Sequence, residues 1–470
     1  MKTDKSAMKQ YPTNKRFLLV LLAVLITLAA ATLTCVNKDK NKEGLKYPPK
    51  NIIIFIADGC GYYHVDTASL FQYGDTGAQL CQKFPVTLAM TTYAAAAPPG
   101  SYDPNMAWAD FDYVKTNATD SAAAATAMST GVKTYNGAIG VGLDRKPTKN
   151  LIERCEELGK ATGVVTSVQL SHATPAGFVA HNTARSEYEQ IAKQMIYNSA
   201  VDVIMGCGHP FYDGDGNLEQ TPKTYKFVGG ESTWNDLVAG TAASDADGDG
   251  IDDLWTLIQT RTEFQALTSG STPKRLLGVP QVHATLQQDR SGDLNAAPYD
   301  VSFIESVPTL EEMTKAAINV LDNDPDGFFL MVEAGAVDWA SHNQQPGRLI
   351  EEQIAFNEAI EAAIEWLGKN SNWDQTLLII TGDHETGYLT GPDSGPSQEG
   401  PVWYDLINYG RAVQPGMQFN SSGHTNSLIP IYVKGRGAKL FKDAAVNTDP
   451  VRGQYIDNTD IANIIFALLD

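Results

Sequence analysis

The chain has 470 residues, of which 43% are hydrophobic and 19% are charged, so it can bury a large core and is not a disordered protein. This length fits one large α/β domain with insertions, or about two or three ordinary domains. The formal net charge of −20 argues against a nucleic acid partner, because an acidic surface repels a phosphate backbone.

The first 35 residues have the pattern of an export signal. Four lysines and one arginine precede an apolar run at residues 17–31, which is short for a membrane-spanning helix. Cys35 follows where a lipoprotein would be cleaved and lipidated, although the preceding Thr-Leu-Thr matches that signal poorly. Cys35 is alternatively an ordinary residue of a cleaved or anchoring leader. The sequence thus predicts an exported protein that is periplasmic, secreted or attached to a membrane through its N-terminus.

Residues 36–50 are rich in Asn, Lys and Pro and are predicted to be a linker, so that residues 51–470 form the folded domain. Cysteines behind the leader permit up to two disulfides and lack the spacing of a zinc cluster. These cysteines are Cys60, Cys81, Cys155 and Cys207.

Apolar, β-rich runs alternate with helical patterns along the domain. The predicted strands are residues 51–57, 163–168, 201–205, 328–332, 376–380 and 428–433, and the predicted helices are residues 121–129, 150–158, 186–198, 309–321, 348–367 and 460–469. This alternation predicts an α/β fold with a large, mostly parallel central sheet and helices on both faces. Residues 206–300 and 391–418 break the rhythm and are interpreted as insertions near the rim of a site.

Acids stand at the C-terminal ends of three predicted strands: Asp58, Glu333 and Asp383. Sites assemble at that edge of an open α/β sheet. Histidine follows an acid closely in two patterns, Asp338-x-x-x-His342 and Asp383-His384, and the chain has only eight histidines. Each pattern alone also fits a turn or a capped helix. Together they indicate a metal centre, because carboxylate and imidazole suit zinc.

Ser121 lies where a loop enters a helix. Asp120 and Ser121 are good N-terminal cap residues, and the alanines that follow are strong helix formers. The segment is therefore either simply a well-capped helix, or it presents Ser121 to a phosphate at a helix N-terminus, where free backbone amides favour an anion.

Residues 112–141, DYVKTNATDSAAAATAMSTGVKTYNGAIGV, resemble the nucleophile segment of the alkaline phosphatases, in which the serine after Thr-Asp is phosphorylated. Further matches follow in the order of that family: IADGCG, HATPAGFVAHNTAR, EAGAVDWASH, TGDHETG and GHTN, at residues 56–61, 172–185, 333–342, 381–387 and 423–426. The resemblance covers about residues 50 to 435 and implies a metal-dependent phosphomonoesterase.

The resemblance also implies the role of each matching residue. Ser121 would be the nucleophile of a phosphoserine intermediate, and Arg185 would bind two phosphate oxygens. Two zinc ions would be held by Asp338, His342 and His424, and by Asp58, Asp383 and His384. A third metal ion, usually magnesium in the family, would be held by the oxygens of Asp58, Thr174 and Glu333.

His172 and Trp339 depart from the best-known bacterial pattern, which has aspartate and lysine at these positions. Both changes lie beside the third metal or the phosphate, so they leave open which ion fills that site. We interpret His172 as a residue that supports the site through hydrogen bonds rather than as a direct ligand, and Trp339 as a packing residue.

Residues 245–256 resemble a calcium-binding loop, with acids at the first, third, fifth and ninth positions and glycine at the sixth. The candidate calcium ligands are Asp245, Asp247, Asp249, Ile251 and Asp253. The twelfth position is Thr256 instead of glutamate, so an acidic surface turn is the alternative.

Other activities remain as alternatives to a phosphomonoesterase. A phosphodiesterase or another ester hydrolase of the same superfamily is one, although the Cys/Ser-x-Pro-x-Arg motif of sulfatases is absent. A non-catalytic surface protein that binds calcium or phosphate is another, but it would be expected to have lost Ser121 or a metal ligand. The expected partners are phosphorylated small molecules. Relatives in the family are often homodimers, and no residue pattern here indicates an interface.

Overall fold

A computed structural model describes residues 48–95, 102–245 and 250–470 of the chain. The predicted leader, most of the predicted linker, and Asp247 and Asp249 of the candidate calcium loop lie outside the described residues. Within the described ranges, no helix combines the length and the apolar character needed to cross a bilayer.

The described strands are numbered along the chain. They are β1 (Asn51–Ala57), β2 (Val86–Thr91), β3 (Ala161–Gln169), β4 (Val203–Cys207), β5 (Ala243–Ser244), β6 (Asp253–Ile258), β7 (Arg275–Gly278), β8 (Phe328–Ala334), β9 (Thr376–Gly382), β10 (Glu385–Thr386), β11 (Leu389–Thr390), β12 (Gln418–Phe419), β13 (His424–Thr425), β14 (Ile429–Gly435), β15 (Asn447–Asp449) and β16 (Gly453–Asp457). Twelve of them form one sheet in the order β15-β16-β2-β14-β9-β1-β8-β3-β4-β7-β6-β5.

The neighbouring strands from β9 to β6 all run parallel to one another. Strand β14 runs antiparallel to both β9 and β2. The predicted α/β fold with a large, mostly parallel sheet is therefore confirmed. The direction of β14 was not predictable, because a run of apolar residues carries no information about strand direction.

The described helices are numbered in the same way. They are α1 (Tyr62–Tyr73), α2 (Pro104–Ala109), α3 (Ser121–Thr130), α4 (Leu151–Glu157), α5 (Ala173–Val179), α6 (Tyr188–Tyr197), α7 (Gly230–Ala239), α8 (Arg261–Ala266), α9 (Leu310–Leu321), α10 (Ala336–His342), α11 (Pro346–Asn370), α12 (Ala438–Ala444) and α13 (Thr459–Leu469). Helices α4 and α9 begin behind capping boxes at Asn150 and Thr309, which explains why their starts were predictable.

Two hydrophobic layers cover the two faces of the sheet. In β1, Ile52, Ile54 and Ile56 point into one layer and Ile53 and Phe55 into the other, as the two-residue period of a strand requires. Helices α3, α4, α5, α6 and α13 contribute to the first layer, and α9 and α11 to the second. Strand β1 is thus buried on both faces and forms a rigid base for the residues that follow it.

Helices α3 and α5 pack closely because small residues line their contact. A Cβ atom at Gly177 of α5 would lie 2.8 Å from the Cβ of Ala125 in α3. The Ser129 hydroxyl of α3 donates a hydrogen bond of 2.6 Å to the carbonyl of Gly177. Ser121, at the start of α3, is therefore carried by a helix with little freedom to shift.

The two segments interpreted as insertions differ in structure. Residues 206–300 include β5, β6 and β7, which extend one edge of the central sheet, and helices α7 and α8. In residues 391–418, Trp403 packs against Trp108 and Phe111 with ring centroids 5.2 and 5.5 Å apart. That these segments are insertions stays a prediction.

The four cysteines behind the leader are buried and have free thiols in the structure: Cys60, Cys81, Cys155 and Cys207.

Candidate active site

Asp58, Glu333 and Asp383 lie side by side at one edge of the central sheet. The register of β1 with β8 and β9 brings them together, since Asp58 follows β1, Glu333 lies near the end of β8, and Asp383 follows β9. All three carboxylates are buried. The backbone amides of Gly59 and His384 donate to Asp383 Oδ1 at 2.9 and 2.8 Å, which fixes that carboxylate.

Helix α10 carries Asp338 and His342 one turn apart, so both face the same side. Asp338 Oδ1 lies 3.3 Å from His342 Nε2 and 3.4 Å from His424 Nε2. The two Nε2 atoms are 3.0 Å apart. The structure therefore brings together the three residues predicted to hold one zinc ion.

Backbone carbonyls orient both of these imidazoles. His342 Nδ1 lies 2.5 Å from the carbonyl of Ser422, and His424 Nδ1 lies 2.8 Å from the carbonyl of Thr119. Because a carbonyl only accepts, each Nδ1 carries a hydrogen, and each Nε2 is directed at Asp338. This arrangement makes Nε2 the atom through which either histidine would bind a metal ion.

His384 of the second predicted zinc group also lies close to Asp338 and His424 of the first. His384 Nε2 lies 3.2 Å from Asp383 Oδ2 and 3.5 Å from Asp58 Oδ1. Ser121 Oγ lies 3.3 Å from the same nitrogen. Ligand atoms lie within 4.8 Å of one another in two overlapping groups, Asp58 with Asp383 and His384, and Asp338 with His384 and His424.

Ser121 is buried at the first residue of α3. The Asp120 carboxylate caps this helix by accepting from the amide of Ala123 at 2.9 Å. The two interpretations of this segment are therefore compatible: it is a well-capped helix, and it also directs Ser121 at the site. Backbone amides at the start of α3 favour an anion beside Ser121.

Asp120 also positions Arg185. Its Oδ2 atom accepts from Arg185 Nη1 at 3.0 Å and from the amide of Gly137 at 2.9 Å. The remaining donors of the guanidinium are suited to binding two oxygens of a phosphoryl group. Sequence reasoning treated Asp120 only as a helix cap and missed this second role.

The oxygens predicted to hold the third metal ion are buried and lack partners. Both carboxylate oxygens of Asp58, Oγ1 of Thr174 and Oε1 of Glu333 have no hydrogen-bond partner among the described residues. The other oxygen of Glu333 accepts from the Thr166 hydroxyl. Unpartnered buried oxygens are costly, and a hard divalent cation would satisfy all of them. These residues therefore fit the predicted third ion.

The electrostatics of the protein chain also favour positive charge here. Burial, reinforced by the charge of Asp383, raises the pKa of Asp58 well above its usual value. Burial raises the pKa of Glu333 to about 7 and that of Asp383 to about 6. Burial lowers the pKa of His424, but Asp338 outweighs it and raises that pKa to about 9. Bound divalent cations would offset the repulsion between these carboxylates.

His172 and Trp339 lie next to one another, with ring centroids 5.9 Å apart, and His172 stacks on Tyr188. Burial and the nearby charge of Arg185 lower the pKa of His172 to about 3, so its imidazole is neutral. Its Nδ1 atom is buried and has no partner among the described residues. The supporting role predicted for His172 and the packing role predicted for Trp339 stay predictions.

The candidate calcium loop is only partly described. The amide of Gly250 donates to Asp245 at 3.0 Å, and Asp253 forms a 2.7 Å ion pair with Lys274. Ile251 is exposed. Asp253 thus already has a cationic partner, and calcium binding stays a prediction.

Thr386 and Thr166 contact candidate ligands and were not singled out by sequence reasoning. Thr386 donates to Asp338 Oδ1 at 2.6 Å and lies 3.2 Å from His384 Nδ1. Thr166 contacts Glu333 from the neighbouring strand β3. The sequence signal that could have identified them is a polar residue inside a buried segment, next to a predicted ligand. Thr386 is an example, since it lies in the motif that contains His384.

Gly59→Ala is expected to lower the free energy of unfolding by about 2–4 kcal/mol and to reduce activity. The added Cβ would lie 2.8 Å from the Cα of Asp338 and 2.9 Å from Oγ1 of Thr386, at a residue with a φ of +78°. Urea unfolding with activity assays measures the effect. Gly77→Ala is the matched control, because Gly77 has a φ of +70° and no atom within 4 Å of the added Cβ. Equal losses in the two variants would show that packing against the site contributes nothing.

Comparisons with known proteins agree with the resemblance of the sequence motifs to the alkaline phosphatases. A sequence profile of the alkaline phosphatase family matches residues 49–405. Alkaline phosphatase of Escherichia coli strain K12 is 30% identical over 417 residues, which cover 83% of this chain and 81% of that protein. The solved alkaline phosphatase from the Antarctic bacterium TAB5 has a TM-score of 0.61 at 25% identity and covers 90% of this chain and 98% of that chain.

A variant of the TAB5 enzyme with Mg bound in its M3 site shares the fold, with a TM-score of 0.60, 24% identity and coverage of 90% of this chain and 98% of that chain. The family profile and the E. coli relative both span the segments that carry Ser121 and Arg185 and most of the predicted metal ligands. The chain therefore belongs to the alkaline phosphatase family and is a phosphate monoester hydrolase.

Proposed function

We propose that this hydrolase forms a phosphoserine on Ser121 at a centre of two zinc ions and one magnesium ion. The observation that carries the proposal is the position of Ser121 Oγ, 3.3 Å from Nε2 of His384, a residue that lies close to candidate ligands of both proposed zinc ions. A buried hydroxyl held by a capped helix and directed at such a group is suited to act as a nucleophile.

Three sets of residues would hold the ions. The first zinc ion would be bound by Asp338, His342 and His424, the second by Asp58, Asp383 and His384, and magnesium by Asp58, Thr174 and Glu333. When bound, the zinc ions lower the pKa of a coordinated hydroxyl or water and stabilise negative charge on phosphoryl oxygens. Imidazole with carboxylate suits zinc, and an all-oxygen set suits magnesium.

The side chains of this chain carry out the transfer. Ser121 Oγ gives up its proton and bonds to phosphorus while the ester P–O bond breaks; the alcohol oxygen leaves with the electron pair and takes up a proton, so that a neutral alcohol is released. The oxygen of a water molecule then bonds to phosphorus as the bond to Ser121 Oγ breaks; one proton of the water restores the serine hydroxyl, and inorganic phosphate is released. Arg185, held by Asp120 at 3.0 Å, donates to two phosphoryl oxygens through both steps.

The expected substrates are phosphorylated small molecules of many kinds, since Ser121 and Arg185 act only on the phosphoryl group. A phosphodiesterase would not need Oε1 of Glu333 and Oγ1 of Thr174, which are buried here and have no hydrogen-bond partner among the described residues. The non-catalytic alternative is not favoured, because Ser121 and every predicted metal ligand are present.

Acid quenching during turnover of p-nitrophenyl phosphate is expected to trap phosphate on Ser121, because the ester bond of phosphoserine survives acid. Mass spectrometry of the peptide that contains Ser121 locates the modification. Bis(p-nitrophenyl) phosphate and p-nitrophenyl sulfate are expected to be much poorer substrates of the metal-loaded chain. Phosphate on another residue, or a preference for the diester, would contradict the proposal.

The proposed location is outside the cytoplasm, on the basis of the signal pattern in residues 1–35. Lipid attachment through Cys35 and assembly as a homodimer stay predictions.

A further inference from the structure

Thr386 is a buried residue that contacts Asp338 of one proposed zinc set and His384 of the other. It is fully buried. Its amide donates to the carbonyl of Gly59 at 2.9 Å, and its carbonyl lies 3.0 Å from His64 Nε2. The pairing of β10 with β13 places it directly opposite His424. Its hydroxyl therefore has a fixed position between the two ligand groups.

The hydroxyl of Thr386 donates its single hydrogen to Asp338. Asp338 Oδ1, at 2.6 Å, accepts that hydrogen, because an ionised carboxylate has no hydrogen to donate. The oxygen of the hydroxyl then accepts from His384 Nδ1, at 3.2 Å. His384 consequently carries its hydrogen on Nδ1 and presents the lone pair of Nε2 to the site.

We propose that Thr386 is a positioning residue that fixes the tautomer of His384 and couples the two metal positions through Asp338. This inference rests on the proposed metal centre and goes beyond it, because it assigns a role to a residue that touches neither substrate nor ion. Asp338 belongs to one predicted zinc group and His384 to the other. Loss of the hydroxyl therefore disturbs a ligand of each ion at the same time.

Thr386→Val is the test, because valine keeps the shape of threonine and removes the hydroxyl. In ¹⁵N-histidine NMR of the metal-free chain, wild type is expected to show His384 with hydrogen on Nδ1, and the valine variant is expected to lose that single tautomer. Thr386→Ser is expected to restore it. The His384 signal is assigned from its absence in His384→Asn.

Zinc binding is the second readout. Competition with a chelator is expected to show that Thr386→Val weakens both zinc ions by about 10–100-fold, as lost support of a ligand does elsewhere, while the serine variant regains most of the affinity. Thr314→Val is the matched control, since the buried Thr314 hydroxyl of α9 donates only to the carbonyl of Leu310, at 2.8 Å. It is expected to bind zinc as wild type does.

The outcomes separate this inference from the proposed function. An unchanged His384 tautomer in Thr386→Val, or a loss of affinity confined to one zinc ion, would overturn the inference. A chain that shows the expected tautomers but forms no phosphoserine on Ser121 would overturn the proposed mechanism and leave the role of Thr386 intact. If wild type binds no zinc, the coupling is overturned whatever the tautomer.

Discussion

Ser121→Ala is expected to lower kcat for p-nitrophenyl phosphate by about 10⁴-fold or more, because the oxygen that bonds to phosphorus in the proposed mechanism is lost. The helix itself is not expected to change, since Asp120 supplies the cap and alanine is a strong helix former. Initial rates with the zinc- and magnesium-loaded chain measure the effect. Circular dichroism confirms that the variant is folded.

Ser129→Ala is the matched control, since it lies on the same helix and its hydroxyl donates to the carbonyl of Gly177. It is expected to lower stability by about 1 kcal/mol and to leave kcat within about twofold of wild type. If Ser121→Ala retained more than about one hundredth of the wild-type rate, a nucleophilic role for Ser121 would be excluded, because nucleophile loss costs far more.

Removal of divalent ions with EDTA is expected to abolish activity and to lower the melting temperature by several degrees. The physical reason is the cluster of buried carboxylates, in which both oxygens of Asp58 and Oε1 of Glu333 have no hydrogen-bond partner among the described residues. Without cations these groups repel one another. Zinc with magnesium is expected to restore both properties, as measured by calorimetry and by rate assays.

The stabilisation by metal is expected to be larger at pH 8 than at pH 5. The folded-state pKa values of Glu333 and Asp383 are raised by burial to about 7 and about 6, so the metal-free chain loses stability as the pH rises through these values. Bound cations remove that loss. In Ser121→Ala the same shifts are expected without activity, which separates metal binding from catalysis. If EDTA does not change the melting temperature at either pH, a metal centre that uses these carboxylates is ruled out.

Much of the fold could be predicted because the central strands are buried on both faces. The prediction of residues 51–57 matches β1, and that of residues 309–321 matches α9 with its cap. The edge strands were not predicted. In β6 exposed and buried residues alternate over a short segment, and β5 has only two residues, so neither gives an apolar run.

Thr174 and His424 were named only through the family resemblance. The other candidate ligands could also be named from the sequence, because they are acids at the ends of predicted strands or acids closely followed by histidine. The residues that orient them could not. Thr386 acts through a hydroxyl whose direction depends on Asp338, a residue 48 positions away. Likewise, the carbonyl of Thr119 orients His424 across a separation of 305 residues. Hydrogen bonds between distant segments leave no periodic trace in a sequence.

The candidate ligands are scattered from Asp58, just after the first strand, to His424, near the C-terminus. No early fragment of the chain contains a complete set for either zinc ion, since His424 arrives last for one and Asp383 and His384 arrive late for the other. With the proposed ligand sets, a ribosome must therefore have made the chain as far as His384 for one zinc ion and as far as His424 for the other before a high-affinity site can form. Metal acquisition at the proposed centre would consequently come late in synthesis, and a fragment that ends before residue 383 would not capture zinc there.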